Sequence, residues 1–228
     1  FIGLKLGLFT GLGPDRVGEL VFAGLQADAL VRAQQPAMAE RLAPDNLPPL
    51  SARSRGVHKG QLGHLLVVGG GRGLGGAALL AAESALRGGA GLVSLATRAE
   101  HLGAALTRRP EVMCAPVASA NQLMPLVAAA DVLVVVPGLG RGAGGRSLLS
   151  VAAGCRRAQV WDADALNLLA ERQANLPPDT VLTPHPGEAA RLLDCSVAQI
   201  QAARPAAAQQ LAARFDAVVV LKGAGTLV

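Results

Sequence analysis

Lys222 ends the apolar run VVVL and opens a glycine-spaced loop, Gly223, Ala224, Gly225 and Thr226, and it is one of only three lysines in 228 residues. A lysine at a strand exit, followed by backbone N–H groups with little side chain around them, makes a cradle for phosphate; the plain alternative is a solvated lysine in an ordinary turn. His185 stands between Pro184 and Pro186 in VLTPHPGE, again at the exit of an apolar run. Two prolines stiffen the backbone that presents the imidazole, a setting that suits contact with a ligand better than burial in a core. Glu188 belongs to the first turn of the helix that follows, where a carboxylate meets the positive end of the helix dipole. Asp162 and Asp164, in QVWDADALNLL, sit where a strand hands over to a helix. Two carboxylates there suit metal or proton handling, and the bland reading makes Asp164 a helix cap.

Glycine marks two further places. GGGRGLGGA, from Gly69 to Ala77, follows the apolar run HLLVV and opens a helix. Glycines let a backbone approach an anion closely, and a helix N-terminus adds free N–H groups and a positive dipole end. Gly71, Gly73 and Gly76 satisfy G-x-G-x-x-G, which admits a dinucleotide-binding oxidoreductase. Such a site wants an acidic residue about 20 residues on, at the end of the next strand. Thr97 and Arg98 stand there instead. Arg98 would meet a 2′-phosphate, so the dinucleotide reading stays open beside that of a tight packing turn. VVVPGLG, ending at Gly140, is a buried strand running into a Pro-Gly-x-Gly turn, which either offers backbone donors to a ligand or is a plain loop.

These residues need a scaffold. Short apolar runs predict strands over 64–68, 92–96, 132–136, 159–161, 181–183 and 217–221, and the Ala/Leu-rich stretches between them predict helices over 76–87, 147–156, 165–172, 187–193 and 197–215. Uniformly apolar strands alternating with helices imply a mostly parallel sheet covered on both faces, with ligands at the carboxyl ends of the strands. Ahead of this region, 1–25 alternates strand-like pieces with a Gly-Pro-Asp turn and has no helical core of its own. Residues 34–57 carry Pro36, Pro44, Pro48 and Pro49 and read as a linker.

Composition removes other classes. The net charge of +5 comes from scattered arginines, and with no Tyr, four Phe and one Trp the stacking platforms of nucleic-acid binders are missing. Hydrophobic residues make up 51% and mean hydropathy is +0.38. Even so, the apolar runs fall far short of the ~20 residues of a membrane span, so no membrane role is expected. Cys114, Cys155 and Cys195 form no C-x-x-C pair and read as small core residues in a reducing, cytoplasmic setting. Phe1 opens mid-pattern without a secretory signal, and the start looks like a cut.

HKG (58–60), LLVVGG, the glycine-rich turn with RGGAGLV, PGLG, WDADALN, TPHPGEAARLL and VVLKGAGT occur in the order and approximate spacing of the ADP/ATP-dependent NAD(P)H-hydrate dehydratases, and from residue 58 onward the chain resembles that family. The resemblance implies a ribokinase-like α/β fold. It implies that Ala77, Gly138, Gly140 and His185 contact a hydrated NADH or NADPH, while Lys222 to Thr226 hold the phosphates of ADP or ATP, with Mg²⁺ as the usual companion. The reaction implied is dehydration of the hydrate at the expense of a nucleotide phosphate, in a homo-oligomer. FIGLKLGLFTGLGPDRVGEL resembles the end of the NAD(P)H-hydrate epimerase domain that bacteria fuse upstream. The organisation implied is therefore epimerase tail (1–33), linker (34–57) and dehydratase domain (58–228). Val136 occupies a place where the family usually has glycine. The family's N-A-G-M…G-G-M-G-D-V-L stretch, with the aspartate that serves as general base, lies downstream of Val228, which implies a C-terminally truncated domain. A ribokinase-like kinase of a small alcohol and a non-catalytic nucleotide-binding fragment are the rival readings. The resemblance also requires that Lys222 and His185 face one cleft.

Overall fold

The computed structural model describes residues 4–49, 52–172 and 174–228. Its contacts separate two units: one takes in the described residues up to Arg55 together with Gly223–Thr226, the other Gly56–Lys222 with Leu227–Val228.

The first unit holds α1 (Pro14–Val17) and α2 (Asp28–Gln34) and, among its described residues, no strand. The strand-like reading of 1–25 is therefore corrected over 4–25. Pro14 sits in the first helical turn, where its fixed φ is already helical and its missing N–H costs nothing, and Asp15 follows in the same turn. Within this unit the Gly11 N–H donates to the Ala224 carbonyl at 3.1 Å, and the Arg41 guanidinium lies 5.4 Å from the centre of the Phe9 ring.

The second unit runs β1 (His64–Val68), α3 (Gly75–Gly88), β2 (Leu92–Thr97), α4 (Leu102–Arg108), β3 (Met113–Pro116), α5 (Ala120–Ala129), β4 (Val132–Val135), α6 (Ala143–Ala153), β5 (Ala158–Trp161), α7 (Asp164–Ala170), β6 (Thr180–Leu182), α8 (Pro186–Leu193), α9 (Val197–Ala202), α10 (Arg204–Phe215) and β7 (Val218–Val219). Among the described residues these strands form one seven-stranded sheet, ordered β3-β2-β1-β4-β5-β6-β7 and parallel throughout. The pleat sends alternate side chains to opposite faces. Leu66 and Val68 join Leu133, Leu123 of α5 and Leu149 of α6 on one side, whereas Val67 joins Leu95, Ala78 of α3 and Ala105 of α4 on the other. The expected doubly covered α/β architecture is thus present.

Three regions differ from expectation. β3, with α4 and α5 on either side of it, was not foreseen, because MCAP has little β-branched character; Pro116 is tolerated because β3 lies at the edge of the sheet. The single helix expected over 197–215 breaks at Ala203. Pro205 lacks an N–H and its ring would strike the carbonyl four residues back, so α10 starts afresh with the proline in its first turn. The last strand shortens to Val218–Val219, after which the Val220 N–H still donates to the Leu182 carbonyl at 2.8 Å.

Glu83 of α3 ties this side of the sheet together. Its carboxylate, 7% exposed, accepts from Arg109 Nε at 2.7 Å and from Arg108 Nε and Nη2 at 3.2 and 3.0 Å. The hydrogen bond from Arg109 is the main reason the carboxyl titrates below its ordinary range, in opposition to burial and with help from Arg108. A group whose pKa is depressed on folding lends stability above its unfolded value, and that stability disappears as pH falls through the folded value. Glu83→Gln is accordingly expected to lower Tm near neutral pH and to flatten the acid limb of the stability curve, as read by thermal melts across the carboxylate range. Parallel acid limbs for wild type and variant would refute this.

Candidate functional site

In a parallel sheet every strand exit lies at the same end. The crevice opens where the chain direction of successive crossovers reverses, here between β1 and β4. A cleft of about 210 Å³ occupies that place, lined chiefly by Gly69–Gly71 after β1, Thr97 and Arg98 after β2, and Gly138–Gly140 after β4. The turns are knitted to one another by backbone. The Gly69 N–H donates to the Ala96 carbonyl at 3.1 Å and the Gly70 N–H to the Pro137 carbonyl at 2.9 Å. The buried Thr97 hydroxyl donates to the Gly70 carbonyl at 3.1 Å, and His101 Nε2 lies 3.1 Å from the Gly71 carbonyl oxygen. Gly71 and Gly138 approach so closely that a β-carbon on either would strike the other's backbone. Val136 fits without glycine's freedom: it is buried, its N–H donates to the Val68 carbonyl at 3.0 Å, and the side chain fills the space left by the missing β-carbon of Gly69.

The two aspartates of WDAD divide their work. Asp164 Oδ2 accepts the N–H groups of Gly138 at 3.2 Å and Gly140 at 2.9 Å. It is not the cap of α7, which begins after Ala163 without a side-chain cap. The donors expected to meet a ligand at this turn therefore serve to hold the turn to Asp164. Ala163, at φ +48°, takes up a conformation that L-residues rarely adopt, and it separates the two carboxylates. Removing Asp164 with Asp164→Ala leaves two N–H groups without their acceptor, at a cost of about 1–3 kcal/mol. The expected outcome is a lower Tm together with weaker ligand binding in the cleft, both partly restored in Asp164→Asn. Unaltered melting and binding in the alanine variant would exclude the clamp.

Asp162 turns the other way and accepts from Lys222 Nζ at 2.6 Å; Glu188 Oε2 lies 3.9 Å from the same nitrogen. The Lys222 N–H donates to the Pro184 carbonyl at 2.9 Å, which staples the β7 exit to the TPHP segment. His185 caps α8: Nδ1 accepts from the Gly187 N–H at 2.9 Å, and Nε2 lies 3.4 Å from Glu188 Oε1. Glu188, 5% exposed, also accepts the His185 N–H at 2.8 Å. Lys222 and His185 thus flank one carboxylate at the same end of the sheet. Half of the His185 side chain remains open to solvent. Ala77 lies in the first turn of α3 and does not line the cleft. Gly223–Thr226 groups with the first unit, where the Thr226 hydroxyl donates to the Gly223 carbonyl at 3.2 Å.

Sequence reasoning missed Thr97 and Arg204. Arg204, only 2% exposed, donates Nη2 to the carbonyls of Leu221 and Lys222 at 3.2 and 3.3 Å, and so fixes the chain from which the lysine projects. Its signal was an Arg-Pro pair inside a long helical pattern. The three cysteines are free and partly buried, and burial pushes the Cys114 thiol up, away from the thiolate. Among the described residues no cluster of three or more His, Cys, Asp or Glu is placed to hold a metal ion, and no helix is long and apolar enough to cross a membrane.

The NAD(P)H-hydrate dehydratase family matches residues 65–228. The bifunctional NAD(P)H-hydrate repair enzyme of Coxiella burnetii is 44% identical over 229 residues, covering 100% of this chain and 47% of its own length. The chain thus spans about half of the length of this relative. Among solved structures, the ADP/ATP-dependent NAD(P)H-hydrate dehydratase of Bacillus subtilis, co-crystallised with ATP and Mg²⁺, superposes with a TM-score of 0.67 at 28% identity over 78% of this chain and 64% of that one. A ribokinase-like superfamily protein of Enterococcus faecalis gives 0.68 at 28% identity over 76% of this chain and 62% of that one. The α/β fold is ribokinase-like, as the motifs implied.

Proposed function

This chain belongs to the NAD(P)H-hydrate dehydratase family, and from that premise we propose that it takes part in the ADP- or ATP-dependent dehydration of hydrated NADH and NADPH. The observation that carries the reading is a cleft of glycine backbone at the β1/β4 switch together with a lysine at the β7 exit, held 2.6 Å from Asp162 at the β5 exit, all at one end of the sheet. The hydrated nicotinamide takes the cleft beside Gly138 and Gly140; Ala77 and His185, which stand outside the cleft lining, would meet the parts of the substrate that extend beyond it. Lys222 takes the phosphates of the adenine nucleotide.

The hydroxyl of the hydrated ring attacks the terminal phosphorus, releasing AMP or ADP; departure of phosphate with loss of a neighbouring ring proton then restores the dihydronicotinamide. Lys222 meets the charge that develops on the transferred group, and the glycine turns hold the ring out of water. His185 Nε2 lies 3.4 Å from Glu188 Oε1, and half of the His185 side chain is open to solvent. The hard oxygens of Asp162 and Glu188 already face one cation and suit Mg²⁺, which they would hold together with the nucleotide phosphates. When bound, that ion neutralises phosphate charge.

Residues 1–33 are read as the tail of an epimerase domain and 34–57 as its connection, in a cytoplasmic protein that self-associates. The test is to titrate the chain with ADP, ATP and hydrated NADH, and to follow the absorbance of regenerated NADH when hydrate and nucleotide are present together. Saturable binding of nucleotide and hydrate is expected; a chain that binds neither, beside an active relative, would sink the reading.

A further inference from the structure

We propose that Arg98 is the phosphate-binding residue of the cleft and engages a phosphate of the dinucleotide; the assignment rests on the function proposed above. Arg98 is the one charged side chain among the residues lining the cleft, and no carboxylate joins it there. The residue before it, Thr97, is 2% exposed and bonded through its hydroxyl to the Gly70 carbonyl, so the strand exit that carries Arg98 is locked to the glycine-rich turn. Its backbone is extended, at φ −73° and ψ 147°, immediately ahead of the turn Ala99–His101.

The local alternative is a surface ion pair with Glu100. That pair is weak: Nε lies 3.9 Å from Glu100 Oε2, and Glu100, 47% exposed, is equally distant from Arg72. An exposed contact at the limit of ion-pair range contributes little. Among the described residues the Nη atoms of Arg98 make no hydrogen bond. A cleft walled by glycine backbone whose lining carries one arginine and no carboxylate favours an anion, and the planar fork of arginine matches phosphate oxygens in pairs. A dinucleotide brings such groups from two sources, the pyrophosphate bridge and the 2′-phosphate of NADPH.

Titration of wild type, Arg98→Gln and Arg98→Lys with NADH and with NADPH tests the assignment. Arg98→Gln is expected to bind about ten- to a hundred-fold more weakly, with Arg98→Lys in between because it keeps the charge but not the fork. A loss confined to NADPH identifies the 2′-phosphate, and an equal loss for both identifies the pyrophosphate. ADP affinity should stay at the wild-type value, as should Tm, since the side chain is 40% exposed. Wild-type affinity for both dinucleotides in Arg98→Gln would overturn the assignment and leave the proposed function standing. So would a loss that falls on ADP instead. A wild-type chain that binds neither NADH nor NADPH would overturn both.

Discussion

Lys222→Met is expected to weaken ADP and ATP binding by about ten- to a hundred-fold, the loss of one hydrogen bond to a charged group at about 1.5–3 kcal/mol. Methionine keeps the stem and removes the ammonium, so the comparison isolates charge. In the wild type the ammonium has three donors, and Asp162 at 2.6 Å engages one of them while Glu188 stands at 3.9 Å. A phosphate arriving here takes the remaining donors or displaces Asp162. Charge is also why the wild-type affinity should fall as salt rises, and why the variant's should fall less. With Mg²⁺ withheld, Asp162→Asn should shift nucleotide affinity the opposite way, because the resident counter-anion no longer competes. Calorimetric titration at two ionic strengths reads all of this; unchanged affinity in Lys222→Met would remove the lysine from the nucleotide site. The effect does not depend on Lys222 holding the fold together, for its backbone is retained by Pro184 on one side and by Arg204 on the other.

The sequence announces some of this arrangement and conceals the rest. β1, β2 and β4 are short runs dominated by Leu and Val, and such a run needs no partner to be seen as a strand. β3 offers only MCAP, and what makes it a strand is the exposed edge of β2 in register from Ser94 to Thr97, a fact of the tertiary fold. The site divides along the same line. His185 between prolines and Lys222 before glycine stand out because their neighbours restrict the backbone locally. Asp164 does not, since its partners are turn N–H groups 24 and 26 residues away, and nothing in a two-residue motif says which strand exit it will face. The reading of Asp164 as a helix cap failed for that reason: Ala163, strained at φ +48°, turns the carboxylate away from its own helix. Strain of this kind costs about 1–3 kcal/mol and persists only where the surroundings impose it. Here Asp162 and Asp164 are both tied to other strand exits, and Ala163 between them absorbs the difference.

The mutual contact of Gly71 and Gly138 leads to the second large effect. Gly138 has φ +90°, and an added β-carbon would fall on the backbone of Gly70 and Gly71. Neither neighbour is a flexible side chain, so one turn must move. Movement of the PGLG turn breaks the bonds from Gly138 and Gly140 to Asp164, and movement of the glycine-rich turn breaks those from Gly70 to Pro137 and from Thr97 to Gly70. Gly138→Ala is therefore expected to cost more than the roughly 1–2 kcal/mol of a left-handed L-residue alone, and to weaken dinucleotide binding by at least about tenfold. Two nearby glycines separate the causes. Gly140 has φ +85° but open space around its β position, so Gly140→Ala should pay the backbone cost without the collision. Gly142 has φ −75° and nothing within 4 Å of that position, so Gly142→Ala should be near neutral. Thermal unfolding and NADPH titration of the three variants should rank them in that order. A Gly138→Ala protein that melts and binds like Gly142→Ala would mean that the two turns do not touch, and a cleft built from their contact would have no floor.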